Sequence, residues 1–428
     1  MLGLLRHFIP ERSPLRIQYH KISAVLAAVC FGFPAKKLKV IGVTGTSGKS
    51  TTCELIYFLL FESGQKVGMI SGVQFHFPSG TELNESLRTT LRSWTTQKYL
   101  RRMVREGCDT AIVEISSHAI DQHRLWGVPL EVAVLTNIGT GEHMDYHGTF
   151  ADYVRTKALM FPGAPYTVLP HDDEYYDFFK KYISGEITDF SRINPKALVS
   201  SSEVHLASGK TSFHLRVKNK EIPVTVALTG EHNVENVLTA VAVVQKFDIS
   251  PESCAQILSR FTGLPGRLES IQEGQKFPVL VDHTYKPPAL RAVLETLKKI
   301  TRGKLIVVWG GTGHRLSQFW SDSGAALHKF ADEIILTTDD PYNDDPRVIA
   351  SYVKKEIPRK EGEHFFEITD RYEAIRYALL TAESEDTVLI AGRGCEQTQT
   401  IGKLVIPFDD REVCREILRQ GRGIENRG

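Results

Sequence analysis

A glycine-rich turn between an apolar run and a helical pattern is the first stretch whose residue types could do chemistry. It reads Thr44-Gly-Thr-Ser-Gly-Lys-Ser-Thr51 and follows the β-branched run 39–43. In such a strand–loop–helix the backbone N–H groups and the helix N-terminus face phosphate oxygens, the lysine reaches the terminal phosphates and the serine hydroxyl takes Mg²⁺. The strict pattern has one more glycine, where Val43 stands here. The predicted nucleotide-binding residues are Thr44, Gly45, Thr46, Ser47, Gly48, Lys49, Ser50 and Thr51.

A carboxylate and two histidines follow two further apolar runs. Glu114 stands at the end of one run, and the loop after the run 132–136 carries His143 and His147. A zinc helix of the metalloprotease type needs Glu directly after the first histidine, and Met144 is there instead. Because the carboxyl ends of parallel strands share one edge of a sheet, we expect Glu114 to be a hard oxygen ligand for Mg²⁺ and His143 to face the same site.

Short apolar runs alternate with helical patterns along most of the chain. The alternation covers residues 38 to 228, and a Gly/Pro-rich break at 263–267 separates it from a second alternation. We therefore predict an α/β protein with a P-loop central domain, whose sheet is mainly parallel, and a Rossmann-like C-terminal α/β domain. The predicted domains are a helical extension at 1–37, the P-loop central domain at 38–264 and the C-terminal α/β domain at 265–428.

Composition excludes several classes of function. The 52 basic and 51 acidic side chains balance, so no nucleic-acid partner is expected through bulk charge. The six cysteines are scattered without a CxxC spacing, which is typical of a reducing cytosol and gives no support to a zinc site or a disulfide framework. The apolar stretch 22–33 is too short to span a bilayer. We expect it to be a helix packed on the nucleotide-binding domain of a cytoplasmic protein without an integral membrane segment.

Several longer motifs resemble the Mur ligases. They are VEISSHAIDQHR at 113–124, TNIGTGEHMDYHGTFADYVRTKALMF at 136–161, GEHNVENVLTA at 230–240, LPGRLE at 264–269, DDPYNDDP at 339–346 and GRGCE at 392–396. The first is similar in particular to members that add the third residue of the peptidoglycan stem peptide. The resemblance implies an ATP- and Mg²⁺-dependent ligase that activates the carboxylate of a muramyl-peptide substrate as an acyl phosphate and joins it to an amino acid.

The resemblance also implies roles for individual residues. Lys49 would hold the β- and γ-phosphates, Ser50 and Glu114 would bind the Mg²⁺ that accompanies ATP, and His143 would join Glu114 at a second Mg²⁺. Lys157 stands where the family has a carbamylated lysine that helps to fix that metal. Positions matching the family's contacts to the adenine, phosphate and ribose of ATP are Asn236, Arg267 and Asp282. Positions matching its contacts to the muramyl peptide are Thr89, Thr90, Ser116, Gln122 and Arg124. Positions matching its contacts to the amino acid are Arg315, Asp339, Asp340, Gly392 and Glu396.

The chain departs from the family pattern in ways that concern the substrate. About forty residues precede the P-loop strand, where the family has a uridine-nucleotide-binding domain, so the UDP linkage of the substrate stays open. Diaminopimelate-adding members have Asp-Asn-Pro-Arg where this chain has Asp339-Asp-Pro-Tyr342. Loss of that arginine removes a bidentate partner for the far carboxylate of diaminopimelate, which favours lysine or another amino acid without it. The family's GKGHE reads Gly392-Arg-Gly-Cys-Glu396, and its DYAHTPDA segment has Tyr285 in place of the histidine.

Three other interpretations remain open. One is a ligase similar to folylpolyglutamate synthase, or another amide ligase acting on a substrate without UDP; the motif at 113–124 favours the muramyl enzyme over it. Another is a P-loop protein that is not a ligase, such as a kinase, against which the DDP and GRGCE motifs argue. The third is an inactive binding module, although Lys49, Glu114, His143 and Lys157 are all present.

Overall fold

The computed structural model describes residue 10 and residues 12–86, 88–139, 144–207 and 209–425. The chain divides into two compact units, each of which is α/β, so the predicted fold class is confirmed. The first unit comprises Met1–Val204, Ser212–Val226 and Glu231–Phe261, and the second comprises His205–Thr211, Ala227–Gly230 and Thr262–Gly428. Within the described ranges, no helix combines the length and the apolar character needed to cross a bilayer.

One large sheet organises the first unit. Its strands are β1 (Lys39–Thr44), β2 (Val67–Ile70), β3 (Gln74–Phe77), β4 (Gly80–Leu83), β5 (Thr110–Glu114), β6 (Val132–Leu135), β7 (Tyr166–Pro170), β8 (Glu186–Ser191), β9 (Val199–Ala207), β10 (Lys210–Val217) and β11 (Lys220–Val226). Their order is β11-β10-β9-β8-β7-β6-β1-β5-β2-β3-β4. In this spatial order, every neighbouring pair from β9 through β8, β7, β6, β1 and β5 to β2 is parallel. The pairs β2–β3 and β3–β4 are antiparallel. The predicted mainly parallel sheet is therefore present, with an antiparallel edge that the sequence did not indicate.

Helices connect and cover these strands. They are α1 (Pro14–Cys30), α2 (Lys49–Glu62), α3 (Ser93–Arg105), α4 (Ser117–Asp121), α5 (Met144–His147), α6 (Phe150–Ala158), α7 (Tyr176–Lys180), α8 (Glu231–Val244) and α9 (Pro251–Leu258), with 3₁₀ turns at Pro34–Lys37 and Gln245–Phe247. The helix predicted at 22–33 begins eight residues earlier than expected. Ser13 caps it by accepting a hydrogen bond from the Arg16 N–H at 3.3 Å, and Pro14 at the first position has a backbone preset for a helix.

The strand order explains where chemistry can occur in this unit. β1 lies between β5 and β6, with Val43 beside Glu114 and Thr44 beside Leu135. β2 follows on the far side of β5. The carboxyl ends of four adjacent parallel strands therefore lie at one edge, where α/β sheets bind their ligands.

A smaller sheet organises the second unit. Its strands are β12 (Glu269–Ile271), β13 (Val279–Asp282), β14 (Leu305–Gly311), β15 (Glu333–Thr338), β16 (Phe365–Glu367) and β17 (Thr387–Ala391), and a separate antiparallel pair is formed by β18 (Thr398–Ile401) and β19 (Leu404–Pro407). The order of the six strands in the sheet is β12-β13-β17-β14-β15-β16, and all neighbours are parallel except β12 and β13. The helices are α10 (Pro287–Ile300), α11 (Ser317–Phe330), α12 (Pro346–Lys355), α13 (Arg371–Thr381) and α14 (Asp410–Glu425).

Both faces of the smaller sheet are buried, which accounts for its continuous apolar strands. In β14, Leu305, Val307 and Trp309 enter the core cluster that includes residues of α10, α11 and α12. The alternate residues Ile306 and Val308 enter the cluster that includes residues of α13 and α14. This alternation follows from the two-residue period of a strand. The sheet is a rigid support on which loops at its carboxyl edge can hold functional side chains.

Candidate active site

The turn after β1 has the backbone of a phosphate-binding loop. Gly48, immediately before α2, has φ +75°, and a Cβ there would lie 2.2 Å from the Asn236 Oδ1. A Cβ on Gly45 would lie 1.9 Å from the Thr136 Oγ1, so both positions require glycine. The Lys49 Nζ donates to the carbonyl oxygens of Gly45 at 3.0 Å and Thr46 at 2.9 Å. The lysine ammonium therefore lies over the loop that would surround the phosphates.

The loop after β6 supports one side of this turn. The Ser47 N–H donates to the Asn137 Oδ1 at 3.0 Å, and the Thr136 hydroxyl donates to the Ser47 carbonyl at 2.7 Å. The Thr46 hydroxyl accepts a hydrogen bond from the Gly139 N–H at 2.9 Å and lies 2.8 Å from the Tyr153 hydroxyl. The loop is thus fixed from a neighbouring strand and from α6 as well as by its own glycines.

Ser50 and Glu114 lie together beside the turn. The Ser50 hydroxyl donates to the Glu114 Oε2 at 2.9 Å, and the same oxygen accepts the Gly72 N–H at 2.6 Å. Glu114 is 2% exposed. A Cβ on Gly72 would approach the Glu114 Oε2 to 3.2 Å and the Ser50 Oγ to 3.6 Å, so glycine leaves this space open. Two hard oxygen donors of this kind fit Mg²⁺.

Lys157 is buried on the opposite side of the turn. Its side chain comes from α6 and the residue is 1% exposed. The Nζ donates to the Gly45 carbonyl at 2.8 Å and to the Thr44 Oγ1 at 3.2 Å, and it lies 4.8 Å from the centre of the Tyr153 ring. The structure therefore brings Lys49, Ser50, Glu114 and Lys157 to one edge of the sheet.

Of the two histidines noted after β6, the structure describes His147. His143 lies outside the described residues. The ring of His147 is buried, with its Nε2 2.9 Å from the Ser117 Oγ. Burial, helped by His118 and Arg12, lowers the pKa of His147 to about 4, so the ring is neutral near pH 7. Over the part of the chain that the structure describes, no three His, Cys, Asp or Glu side chains cluster as a metal site would require.

The residues predicted to hold the muramyl peptide lie around the carboxyl end of β5, and four of them are joined by hydrogen bonds. The Thr90 hydroxyl donates to the Glu114 carbonyl at 3.0 Å and accepts the Ser116 N–H at 2.8 Å. The guanidinium of Arg124 donates to the Thr90 carbonyl at 3.1 Å and to the Gln122 Oε1 at 2.7 and 2.9 Å. Thr89 is half-buried beside Gly72, its Cα lying 3.3 Å from where a Cβ on that glycine would be. All five predicted residues thus lie near the carboxylate of Glu114 or in contact with one another.

The three residues predicted to contact the rest of ATP are divided between the units. In the first unit Asn236 accepts a hydrogen bond from the Thr52 hydroxyl at 3.3 Å behind the turn. In the second unit, burial raises the pKa of Asp282 to about 6, although Arg267 opposes that shift. The Asp282 Oδ2 also accepts the Leu268 N–H at 2.7 Å, which anchors the segment that carries Arg267.

The residues predicted to hold the amino acid surround an arginine in the second unit. Arg393 is 0% exposed, and its Nη1 lies 3.1 Å from the Asp339 Oδ1 and 2.7 Å from the Asp340 Oδ1, while its Nη2 lies 3.8 Å from the Glu396 Oε2. Burial raises the pKa of Glu396 to about 7 and also raises the pKa of Asp339. Gly392 passes so close that a Cβ there would lie 2.5 Å from the Asp339 Oδ2. Asp339, Asp340 and Glu396 thus lie around one buried cation, Arg393, and Gly392 lies against Asp339.

The aromatic residues near this arginine define a second part of the unit. Tyr342, which replaces the family's arginine, has φ +49° and stacks on His314 with ring centres 5.0 Å apart. The Arg315 guanidinium lies 5.7 Å from the ring centres of Tyr285 and Phe319. The predicted amino-acid contact Arg315 is therefore positioned by aromatic side chains, one of which is the Tyr285 noted as a departure from the family.

Sequence reasoning missed three residues that shape these sites. Gly72 leaves space beside Glu114, Tyr153 contacts both Thr46 and Lys157, and Arg393 pairs with the two aspartates. Gly72 could have been found as a glycine directly after β2, at the same sheet edge as Glu114. Arg393 was visible inside the GRGCE motif, but its partners are 53 and 54 positions away in the chain.

Comparisons with known proteins agree with this architecture. A profile of the Mur ligase middle domain matches residues 43–244, and a profile of the Mur ligase glutamate ligase domain matches residues 266–394. The UDP-N-acetylmuramoyl-L-alanyl-D-glutamate-2,6-diaminopimelate ligase of Geobacillus kaustophilus is 34% identical over 406 residues, covering 93% of this chain and 82% of that protein. The ligase of the same name from Streptomyces coelicolor is 35% identical over 405 residues, covering 93% and 79%.

Solved structures show the same relationship. A ligase of that same name superposes with a TM-score of 0.69 at 29% identity, over 90% of this chain and 79% of the other. A folylpolyglutamate synthase of Mycobacterium tuberculosis, solved with ADP and AMPPCP, has a TM-score of 0.68 at 16% identity, over 87% of this chain and 92% of the other. The second similarity concerns the fold alone.

The fold and the phosphate-binding turn define an α/β enzyme of the nucleotide-dependent ligase class. The chain belongs to the Mur ligase family, ATP-dependent ligases that form amide bonds during peptidoglycan precursor synthesis. The resemblance deduced from the motifs is confirmed.

Proposed function

We propose that this ligase uses ATP to activate the carboxylate of a muramyl-peptide acceptor and joins it to an amino acid whose far end is cationic rather than carboxylate. The observation that carries the first half is the convergence of Lys49, Ser50, Glu114 and Lys157 at the carboxyl ends of adjacent strands. The second half rests on the acidic surroundings of Arg393.

The first task of the site is to bring two anions together. A γ-phosphate and an acceptor carboxylate repel each other, and preorganised positive groups reduce that repulsion most effectively in a water-poor site. Lys49 and the N–H groups of the turn would contact the phosphates, and Ser50 with Glu114 would hold the Mg²⁺. A bound Mg²⁺ would supply further positive charge against the phosphate oxygens.

The chemistry then proceeds in two balanced steps. An oxygen of the acceptor carboxylate attacks the γ-phosphorus, and the bond from that phosphorus to the bridging oxygen breaks as ADP leaves. The amine nitrogen then attacks the acyl carbon, the carbon–oxygen bond to phosphate breaks, and the amine loses a proton. Thr90, Ser116 and Arg124 would orient the acceptor, because correct alignment of reacting groups supplies much of the rate in such a step.

His143 and Lys157 complete the proposal on the metal side. A carbamate on Lys157 would place a carboxylate-like group beside the Thr44 hydroxyl and the Gly45 carbonyl, where the amine lies at 3.2 and 2.8 Å. Together with His143 and Glu114 it would offer ligands for a second Mg²⁺. Both assignments come from the family resemblance.

The amino-acid preference follows from charge. Three carboxylates, those of Asp339, Asp340 and Glu396, lie within 4 Å of the cation Arg393. A far carboxylate on the incoming amino acid would meet the carboxyl groups of this cluster, and Tyr342 has no cation to offer it. An ammonium group, as in lysine or ornithine, would be attracted instead.

A cytoplasmic location is part of this proposal. The six cysteines are all unpaired, which agrees with a reducing compartment.

Phosphate release from ATP tests the reaction and the specificity together. The purified chain is assayed with UDP-muramyl-dipeptide and, in parallel, with the nucleotide-free muramyl peptide and with a folate acceptor, each with lysine, ornithine, diaminopimelate or alanine. We expect the muramyl acceptors to support phosphate release with lysine or ornithine at least about tenfold faster than with diaminopimelate. Glu114→Gln is the matched inactive control. Release with the folate acceptor alone, or faster release with diaminopimelate, would contradict the proposal.

A further inference from the structure

The helix α1 exposes an unbroken apolar stripe along its whole length. Leu15, Tyr19, Ile22, Leu26 and Val29 are 69%, 51%, 58%, 52% and 56% exposed. Their spacings of four and three residues place them within an arc of about 80° at 3.6 residues per turn. Isolated exposed apolar side chains are common on proteins, whereas a continuous patch marks an interaction surface.

The opposite face of α1 is already used for packing. Ala24, Ala27 and Ala28 are fully buried, and α1 lies against α3. At Gly127 a Cβ would lie 3.1 Å from the Ala28 side chain, so the helix is seated closely. The alanine face is therefore the one that packs, and the exposed stripe faces away from the core.

Aromatic pairs lie beside the C-terminal end of α1, on the side of the helix that packs against the protein. Phe31 contacts Trp94 with ring centres 6.0 Å apart, and Phe33 contacts Trp126 at 6.3 Å. Trp94 is 44% exposed and Trp126 is 37% exposed. Tryptophan combines an apolar ring with a polar N–H and is enriched at the level of lipid headgroups.

The two sequence segments that include α1 and α3 contain basic residues and no acidic ones. Between Glu11 and Glu54 the sequence contains no acidic residue, and between Glu85 and Glu106, which includes α3, it again contains none. The lysines and arginines of these two segments that are exposed are Lys21, Lys36, Lys37, Lys39, Arg88, Arg92, Lys98 and Arg105.

Two carboxylates lie close to a cation just before α1. Asp121 and Asp152 lie 3.6 and 3.9 Å from the guanidinium of Arg12, so a cation accompanies them. The surface is thus an apolar stripe with aromatic pairs beside its C-terminal end and basic residues in the segments that carry it.

We propose that this α1 surface binds the ligase to an anionic phospholipid membrane, with α1 lying in the plane of the headgroups. An amphipathic helix with a cationic border adsorbs in this way through apolar burial together with attraction to anionic lipids. The same charge argues against a second copy of the chain as the occupant, because two such cationic surfaces would repel each other.

Vesicle co-sedimentation of the full chain tests the proposal. Vesicles of equimolar phosphatidylglycerol and phosphatidylcholine are compared with vesicles of phosphatidylcholine alone. We expect binding to the anionic vesicles, and a loss of that binding as NaCl is raised from about 0.05 M to about 0.5 M, because salt screens the lysines. Ile22→Ser with Leu26→Ser should weaken binding about tenfold or more.

The chain provides a matched control. Ile193 and Leu198 in the first unit are 69% and 50% exposed, so I193S/L198S removes the same side-chain types at similar exposure. This control should bind vesicles like the wild type, and both double variants should keep the ligase activity on soluble acceptors. Replacing Lys36 and Lys37 by Gln should weaken binding to the anionic vesicles about fivefold per lysine.

Three results would overturn the proposal. One is equal binding of wild type and I22S/L26S. Another is a dimer, seen by light scattering, that I22S/L26S dissociates while neither protein binds vesicles, because the occupant would then be a second copy. The third is binding that survives I22S/L26S and disappears when residues 1–9 are deleted, which would assign it to that segment.

Discussion

At the scale of single residues, Lys157 is the side chain whose chemical state matters most. It is 1% exposed, and its ammonium donates to two oxygens of the phosphate-binding turn. Conversion to a carbamate would replace that cation by an anion and create metal-binding oxygens. The two states predict different responses to substitution by arginine, which keeps a positive charge and cannot form the carbamate.

Lys157→Ala and Lys157→Arg are therefore both expected to lower kcat by about 100-fold or more, because either removes the carbamate. Steady-state phosphate release measures the effect, and Tyr153→Phe is the control for loss of a neighbouring hydroxyl. If Lys157→Arg kept most of the activity, a positive charge would be sufficient and the carbamate would be wrong. Equilibrium unfolding of all three variants separates an effect on chemistry from an effect on folding.

The titration of Glu396 leads to a second prediction for a single residue, which concerns the pH dependence of stability. Burial raises the pKa of this carboxyl from 4.5 to about 7 in the folded chain. The unfolded chain ionises it from about pH 4.5, whereas the folded chain must do so in a buried site. The contribution of Glu396 to the free energy of unfolding is therefore constant below about pH 4.5. It falls progressively as the pH rises to about 7.

Glu396→Gln removes that titration. We expect the free energy of unfolding of the variant, relative to wild type, to increase between pH 4.5 and pH 7 and then to level off. Urea unfolding across this range provides the measurement. A constant offset could arise from the lost contact with Arg393, so the slope with pH is the readout. Parallel pH curves for the two proteins would show that Glu396 does not titrate in this range.

At the scale of elements, the connection from β1 to α2 carries the nucleotide site. Gly48→Ala would force a left-handed backbone on alanine and would place its Cβ 2.2 Å from the Asn236 Oδ1. Gly64, just after α2, has φ +86° with no heavy atom within 4 Å of its Cβ position. The two glycines share the backbone requirement and differ in the space around them.

Gly64→Ala should therefore destabilise the chain by about 1–2 kcal/mol and leave ATP binding unchanged. Gly48→Ala should destabilise it more and should abolish measurable ATP binding, because the turn must shift away from α8. Thermal unfolding and calorimetric titration with ATP give the two readouts. Equal effects of the two substitutions on ATP affinity would show that the turn does not bind the phosphates.

The helices and strands also show how much of the fold could be predicted from the sequence. β1, β5 and β6 are short apolar runs buried within the sheet, and their alternation with helices predicted both the fold class and the shared edge that brings Ser50 to Glu114. The hairpin β3–β4 was missed because Gln74–Phe77 and Gly80–Leu83 are only four residues each and the second is exposed. The contacts of Arg393 were missed for another reason: they join the ends of β15 and β17, and local spacing does not report such tertiary pairing.

At the scale of the whole molecule, the residues of the proposed site are divided between the two units. Ser50, Glu114 and Lys157 belong to the first unit, and Asp339 and Glu396 belong to the second. Each unit has its own buried core, so a change deep in one should act on that unit's stability first. The second unit offers a suitable site in the buried ion pair of Arg371 and Asp410, both 0% exposed at the side chain and joined by two hydrogen bonds of 2.8 Å.

Arg371→Met leaves Asp410 buried without its cation and should destabilise the second unit by about 3–5 kcal/mol. R371M/D410L replaces both charges by apolar groups and should recover most of that loss, since an apolar pair of similar size is often as stable as a buried ion pair. Hydrogen exchange measured by mass spectrometry locates the effect. We expect faster exchange in β13, β14 and β17 of Arg371→Met, and unchanged exchange in β1 and α2. Equally faster exchange around Lys49 would show that the two units unfold as one. A double variant as unstable as Arg371→Met would show that lost packing at this position, and not the unpaired carboxylate of Asp410, causes the destabilisation.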